Sequence, residues 1–245
     1  MGRMPWFGRR RNLLVAGLVA TVVVVVGGLA GVYAVFFGGS APRQLGLSAT
    51  PSTSASATAN SSSTARPGAW TVVSGSQAGY RVREQLARFV GAPSDAVGRT
   101  DAISGSMTVA QTGGGYQVTA ASFTVDVSKL TSDRPMRDQR IRRIGLESDR
   151  YPTANFRLTS PISLPSNAAS GQAFTVQATG DLTVHGTTRR VTIPLQARLT
   201  GSRIEVAGSI TFPFSEFGMT PPSIPGFVSV QDNATMEFNL LLQKS

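Results

Sequence analysis

The chain predicts an all-β domain of about eight antiparallel strands, closed as a barrel or paired as a sandwich, with one short helix and an N-terminal transmembrane helix. Three observations predict this fold class. From Trp70 onward, apolar and polar residues alternate, as in strands with one buried face and one wet face. Short glycine- and asparagine-containing turns separate the alternating runs, which favours antiparallel pairing of neighbours. A long apolar run precedes them all.

The apolar run covers residues 13–37 and contains no charged side chain. About 20 apolar residues are enough to cross the hydrocarbon core of a bilayer as a helix. A cleaved signal peptide is disfavoured, because its apolar core usually has about 7–15 residues. Arg9, Arg10 and Arg11 come just before the run, so the positive-inside rule makes residues 1–12 a cytoplasmic basic flank. We therefore expect a single-pass protein of a bacterial cell membrane, with its C-terminal domain extracytoplasmic.

Residues 38–67 are rich in Ser, Thr, Ala and Pro and predict a disordered linker. Such a composition buries too little apolar surface to offset the entropy lost on ordering. The linker sets the start of the folded domain, which we place at residues 68–245.

The apolar faces of the predicted strands point into the domain, where they form either a packed core or the wall of a ligand pocket. Small residues on these faces favour a cavity: Ala120, Ala178, Gly180, Ala197 and Gly208. The candidate cavity-lining residues are Phe156, Leu158, Phe174, Val176, Leu182, Val184, Ile193, Leu195, Ile210, Phe212 and Phe238.

A basic stretch at residues 132–146 interrupts the alternation and predicts a short helix. Ser132 or Asp133 is the predicted N-cap, and Pro135 suits the first turn. Ile141 and Ile144 are expected to share one face. The candidates for contact with a lipid head group or membrane are Arg137, Arg140, Arg142 and Arg143, together with His185. A solvated helix face for the arginines and a plain turn role for His185 are the alternatives.

Composition excludes several kinds of chemistry. The chain has no cysteine and one histidine, which excludes cysteine catalysis and cysteine-ligated metals and argues against a histidine-rich metal site. No phosphate-binding loop, dinucleotide fingerprint or nucleophile elbow is present. The net charge is +10, but no nucleic-acid recognition motif accompanies it. We predict no enzyme activity, no nucleic-acid partner, no metal and no cofactor other than a possible bound lipid. The oligomeric state is left open.

Several short segments, taken in order, resemble the YceI-like family of extracytoplasmic lipid-binding proteins. They are the Arg137-Asp138 pair, the Tyr-Pro-x-x-x-Phe segment at 151–156 and the Gly-x-Leu-Thr-x-His-Gly segment at 180–186. The resemblance covers roughly residues 68–243. It implies an eight-stranded antiparallel, lipocalin-like barrel whose interior holds a long polyisoprenoid chain. The expected function is therefore a membrane-anchored barrel that holds a quinone-type or polyprenyl-type isoprenoid for storage, transport or sensing. The alternative is a packed, non-catalytic barrel that contacts a cell-envelope partner.

Overall fold

The structure, a computed structural model, describes residues 41–49, 67–86, 93–224, 226 and 228–245. The predicted cytoplasmic flank and transmembrane helix lie outside the described residues and stay predictions. Within the described part, no helix is long and apolar enough to cross a bilayer.

The described residues between 67 and 245 form twelve strands and one α-helix. The strands are β1 Gly68–Val72, β2 Gln77–Leu86, β3 Ser94–Thr100, β4 Ile103–Thr112, β5 Gly115–Asp126, β6 Thr131–Ser132, β7 Thr153–Leu158, β8 Ile162–Ser163, β9 Phe174–Val184, β10 Thr187–Thr200, β11 Arg203–Phe212 and β12 Val228–Lys244. The helix is α1, Pro135–Arg140, and a π-helical turn, Ile141–Gly145, continues it. Short 3-10 turns cover Val127–Lys129 and Phe214–Phe217.

The strands form a closed barrel of eight antiparallel wall strands, which selects the barrel over the sandwich. Two of the eight wall strands are each built from two pieces. β1 and β2 together form the first, because both pair with β12; β4 and β3 form the second, because β4 pairs with β1 and β3 pairs with β2. The wall then runs in chain order through β5, β7, β9, β10, β11 and β12, and β12 pairs back with β1 and β2. Closure gives each of the eight wall strands a neighbour on both sides.

The strand alternation of the sequence is confirmed along most of the wall. In β9, the residues from Ala178 to Val184 alternate between buried and half-buried, and β10 follows the same rule. The ladder between β10 and β11 stops beside Pro194, which has no N–H to donate. Ala120 departs from the prediction and is exposed, because a bulge shifts the β4–β5 register between Thr108 and Val109.

Residues 41–49 lie against the outer wall of the barrel, inside the stretch predicted to be a linker. Leu45 and Leu47 are half-buried there, and Ser48 hydrogen-bonds to Glu205 of β11. We call residues 42–48 the strap. Residues 50–66 lie outside the described residues, so their predicted disorder stays a prediction.

Candidate functional site

The interior of the barrel contains an apolar cavity of about 210 Å³. All eleven predicted cavity-lining residues contribute to its wall: Phe156, Leu158, Phe174, Val176, Leu182, Val184, Ile193, Leu195, Ile210, Phe212 and Phe238. They come from β7, β9, β10, β11 and β12, whose inward faces meet only because the sheet closes. Their contact with a lipid stays a prediction.

The cavity extends along most of the barrel. Phe174 and Val184, at the two ends of β9, both line it. At about 3.4 Å per residue, these positions lie roughly 34 Å apart along the strand. Strands in such barrels tilt by about 35–45°, which leaves roughly 25 Å along the axis. The space therefore suits a long, thin and apolar molecule better than a compact one.

The small residues on the inner faces act in two different ways. Ala178 and Ala197 line the cavity, as predicted. Gly180 and Gly208 leave no room of their own, because a Cβ atom at either position would lie under 3 Å from the ring of Phe156 or Phe238. These glycines let two large rings lie flat against the wall, and the rings then line the cavity.

Tyr80 brings a polar group to the lining, and the candidate list missed it. Its side chain is 8% exposed, and its ring lies over Gly98 of β3, where any Cβ atom would collide with it. Its hydroxyl has no hydrogen-bond partner among the described residues. Burial raises the pKa of the Tyr80 phenol, so the hydroxyl keeps its proton and can donate it. The alternation of Ala78, Tyr80 and Val82 was the sequence signal for its inward position.

One end of the cavity is covered by α1 and the turn after it. Ile141, Gly145 and Leu146 line the cavity from this side. Ile144 is 42% exposed, which corrects the prediction that it shares a face with Ile141. The reason is the π-helical turn, in which the Leu146 N–H donates to the Ile141 carbonyl and the wider turn rotates Ile144 outward.

The start of α1 also differs from the prediction. The N-cap is Arg134, and neither Ser132 nor Asp133 takes that place. Instead, the Ser132 N–H and hydroxyl both donate to Oδ1 of Asp138, at 2.9 Å and 2.6 Å. Pro135 stands in the first turn, as predicted.

The predicted arginine cluster divides into two pairs with different surroundings. Arg137 donates from Nε and Nη2 to the two carboxylate oxygens of Glu84, both at 3.1 Å, and also contacts Asp133. Burial alone would lower the pKa of Arg137, but these carboxylates outweigh it and raise the pKa. Arg140 donates to the carbonyls of Pro222 and Ser223. Arg137 and Arg140 thus fasten α1 over the end of the barrel.

Arg142 and Arg143 have different surroundings from Arg137 and Arg140. Both are exposed, and within the described ranges neither side chain has a hydrogen bond or ion pair. Contact of any of the four arginines with a head group or membrane stays a prediction. Met136, 71% exposed, and Ile144 are the exposed large hydrophobic residues of the described part of the chain. This end of the barrel therefore presents two free positive charges beside two exposed apolar side chains.

His185 lies in the β9–β10 hairpin turn, beside Gly186. Both residues have positive φ, at 51° and 69°, as in the tight turns that join twisted strands. The Nδ1 atom of His185 is 3.3 Å from the Phe217 carbonyl, and its ring packs on Tyr151 with centroids 4.4 Å apart. Its Nε2 atom is 3.5 Å from Oε1 of Glu147. These contacts place His185 in the turn, and it is absent from the cavity lining. Its contact with a head group stays a prediction.

No group of three or more His, Cys, Asp or Glu side chains that could hold a metal ion occurs in the part of the chain that the structure describes. Among the described residues, those with polar side chains at the cavity wall are Tyr80, Asn155, Arg198 and Glu237.

A closed barrel of eight antiparallel strands around an apolar cavity defines a lipocalin-like class of protein. The family model of the YceI-like domain matches residues 70–242, and the chain belongs to that family. No curated protein matched the chain.

The chain is similar to several solved structures. A polyisoprenoid binding domain from Saccharophagus degradans, implicated in plant cell wall breakdown, has a TM-score of 0.54 at 15% identity and covers 74% of this chain and 100% of that one. BcnA from Burkholderia cenocepacia has a TM-score of 0.46 at 18% identity and covers 66% and 95%. The YCEI protein of Campylobacter jejuni has a TM-score of 0.43 at 11% identity and covers 57% and 80%.

Proposed function

We propose that this protein is a membrane-anchored extracytoplasmic lipid-binding protein that holds a long isoprenoid, of quinone or polyprenyl type, inside its barrel. The observation that carries the proposal is the long apolar cavity. Burying an isoprenoid chain there gains about 25 cal/mol for each Å² of apolar surface removed from water, less the cost of ordering the chain. The Saccharophagus degradans domain, which shares the fold, is described as polyisoprenoid-binding.

The protein acts by binding rather than by catalysis. The cavity offers an isoprenoid apolar contact along its length and one unpartnered phenol, with no nucleophile beside a base. A packed barrel that only contacts a partner would not need an empty apolar interior, since such voids are costly.

Tyr80 favours a head group that accepts a hydrogen bond. Tyr80 lines the cavity, and its hydroxyl is buried beside Gly98, protonated and without a partner among the described residues, so a quinone carbonyl brought against it would satisfy it. A polyprenol hydroxyl can also accept, whereas a plain hydrocarbon cannot. We therefore rank a quinone or polyprenyl compound above a hydrocarbon.

The exposed surface around α1 is the proposed place of membrane contact. Arg142 and Arg143 suit anionic head groups, and Met136 and Ile144 suit the layer below them. Because this segment covers one end of the cavity, contact there would bring the lipid store next to the bilayer.

The test is a titration of residues 41–245, which form one compact unit, after lipid removal. Trp70 lines the cavity and is the single tryptophan of that fragment, so its fluorescence reports occupancy. We expect a long-chain menaquinone to quench it in a saturable manner. Tyr80→Phe should weaken menaquinone binding about fivefold, equivalent to about 1 kcal/mol. Tyr116→Phe, which lies outside the lining, is the matched control. Absence of saturable quenching in the wild-type fragment would refute the proposal.

A further inference from the structure

The outer wall of the barrel carries two carboxylates that are almost fully buried. Glu237 of β12 is 1% exposed and Glu205 of β11 is 5% exposed. Glu237 borders the cavity together with Met236 and Phe238, whereas Glu205 does not, but both carboxylates pair with arginines that also contact residues outside the barrel wall. Outward-facing residues of a bare barrel would be in water. Something on the outside therefore covers them.

Arginines and the strap together form that cover. Arg81 and Arg99 pair with Glu237 at 3.4 Å and 3.1 Å, and Arg198 pairs with Glu205 at 2.7 Å. The same three arginines also reach the strap, so each of them joins a buried carboxylate to residues 42–48.

The strap is held mainly by its main chain. The main-chain N–H of Ser48 donates to Oε1 of Glu205 at 2.7 Å, and the Ser48 hydroxyl donates to the same atom at 2.8 Å. Four strap carbonyls accept hydrogen bonds from barrel side chains. Arg81 donates to the Pro42 carbonyl at 2.7 Å, and Arg99 donates to that of Arg43. Asn239 donates to the Gly46 carbonyl at 2.6 Å, and Arg198 donates to that of Ser48 at 2.9 Å. Donors from β2, β3, β10 and β12 and an acceptor from β11 therefore bind one extended segment.

We propose that this polar groove is a binding site for an extended peptide main chain, and that residues 42–48 of this chain occupy it in cis. The groove presents four donor side chains and one acceptor, Glu205, to the strap, and Ser48 is the strap residue whose side chain hydrogen-bonds there. A row of charged groups on the outside of a barrel is otherwise unexplained by lipid binding inside it.

Limited trypsin digestion of the full chain tests the strap at one peptide bond. Arg43 supplies the susceptible bond between residues 41 and 67, because trypsin leaves the Arg66–Pro67 bond intact. Ser48→Pro removes the N–H and the hydroxyl that bind Glu205 and leaves the barrel sequence unchanged. We expect the fragment that begins at Gln44 to appear at least tenfold faster from Ser48→Pro than from the wild type, as measured by mass spectrometry.

Ser56→Pro, in the Ser/Thr-rich stretch, is the matched control and should be cut at the wild-type rate. Equal rates for the wild type and Ser48→Pro, or a Ser56→Pro rate equal to that of Ser48→Pro, would overturn the docked strap. With the protein in membranes, the cut should also release the barrel into the supernatant. A chain that does not sediment with membranes beforehand would refute the anchor alone, while the rates at Arg43 still decide the strap.

Discussion

Replacing Ala178 by phenylalanine separates a hollow barrel from a packed one. Ala178 lines the cavity and is 3% exposed. An unfilled apolar cavity costs about 24 cal/mol per Å³, so the 210 Å³ left empty costs about 5 kcal/mol. A cavity of about 150 Å³ accepts a benzene molecule, so one phenyl ring can fill a large part of this space. Lipid-free Ala178→Phe should therefore gain about 2 kcal/mol in unfolding free energy and about 4–8 °C in Tm.

The same ring blocks the path of a long ligand. Ala178→Phe should lose saturable quenching of Trp70 by menaquinone while its Tm rises, as followed by circular dichroism. Thr179→Phe is the matched control, because Thr179 is the next residue on β9 and bonds Thr192 on the outer surface at 2.9 Å. It should bind menaquinone like the wild type. A fall in the Tm of Ala178→Phe, as overpacking by about 1–3 kcal/mol would cause, would refute the hollow barrel.

Three further outcomes are expected. Arg137→Gln leaves the carboxylate of Glu84 buried without its partner and should lower the unfolding free energy by about 3 kcal/mol. Urea titration measures this, and an unchanged midpoint would contradict the proposed fastening of α1. Changing Arg142 and Arg143 together to Gln should weaken binding to anionic vesicles by a factor of about 30, at about 1 kcal/mol each, and a sedimentation assay with unchanged binding at low salt would make them a solvated surface. For Glu205, burial raises the pKa, but hydrogen bonds outweigh burial and leave the pKa below its ordinary 4.5, so the contribution of Glu205 to stability is complete above that pH and falls with acidification. As the pH is lowered, the Tm of Glu205→Gln should therefore fall less steeply than that of the wild type. Parallel curves of Tm against pH would contradict the assignment.

The inner wall of the barrel could be predicted from the sequence because period-2 alternation reports burial directly. Every candidate on β7, β9, β10, β11 and β12 lies on the cavity wall for that reason. Ala120 was misassigned, since a single bulge reverses the alternation and leaves no mark in composition. Gly180 and Gly208 were read as open space, because a sequence does not show which ring fills the gap beside a glycine.

The strap and the arginine pairs could not be predicted, because both depend on contacts between distant parts of the chain. Nothing near Ser48 indicates that Glu205 binds it, and nothing near Arg137 names Glu84 as its partner. The sequence pattern grouped Arg137, Arg140, Arg142 and Arg143 as one basic surface. Only the folded chain separates Arg137, which is fastened, from Arg142, which is free to contact a lipid surface.

The central claim is that the barrel holds an isoprenoid, and mass spectrometry tests it most directly. Residues 41–245 would be expressed, purified without detergent and extracted with organic solvent. The account predicts about one isoprenoid quinone or polyprenyl compound per protein in the extract, and a marked loss of it from Ala178→Phe prepared in parallel. An extract without a stoichiometric isoprenoid, or with the same amount from Ala178→Phe as from the wild type, would contradict it.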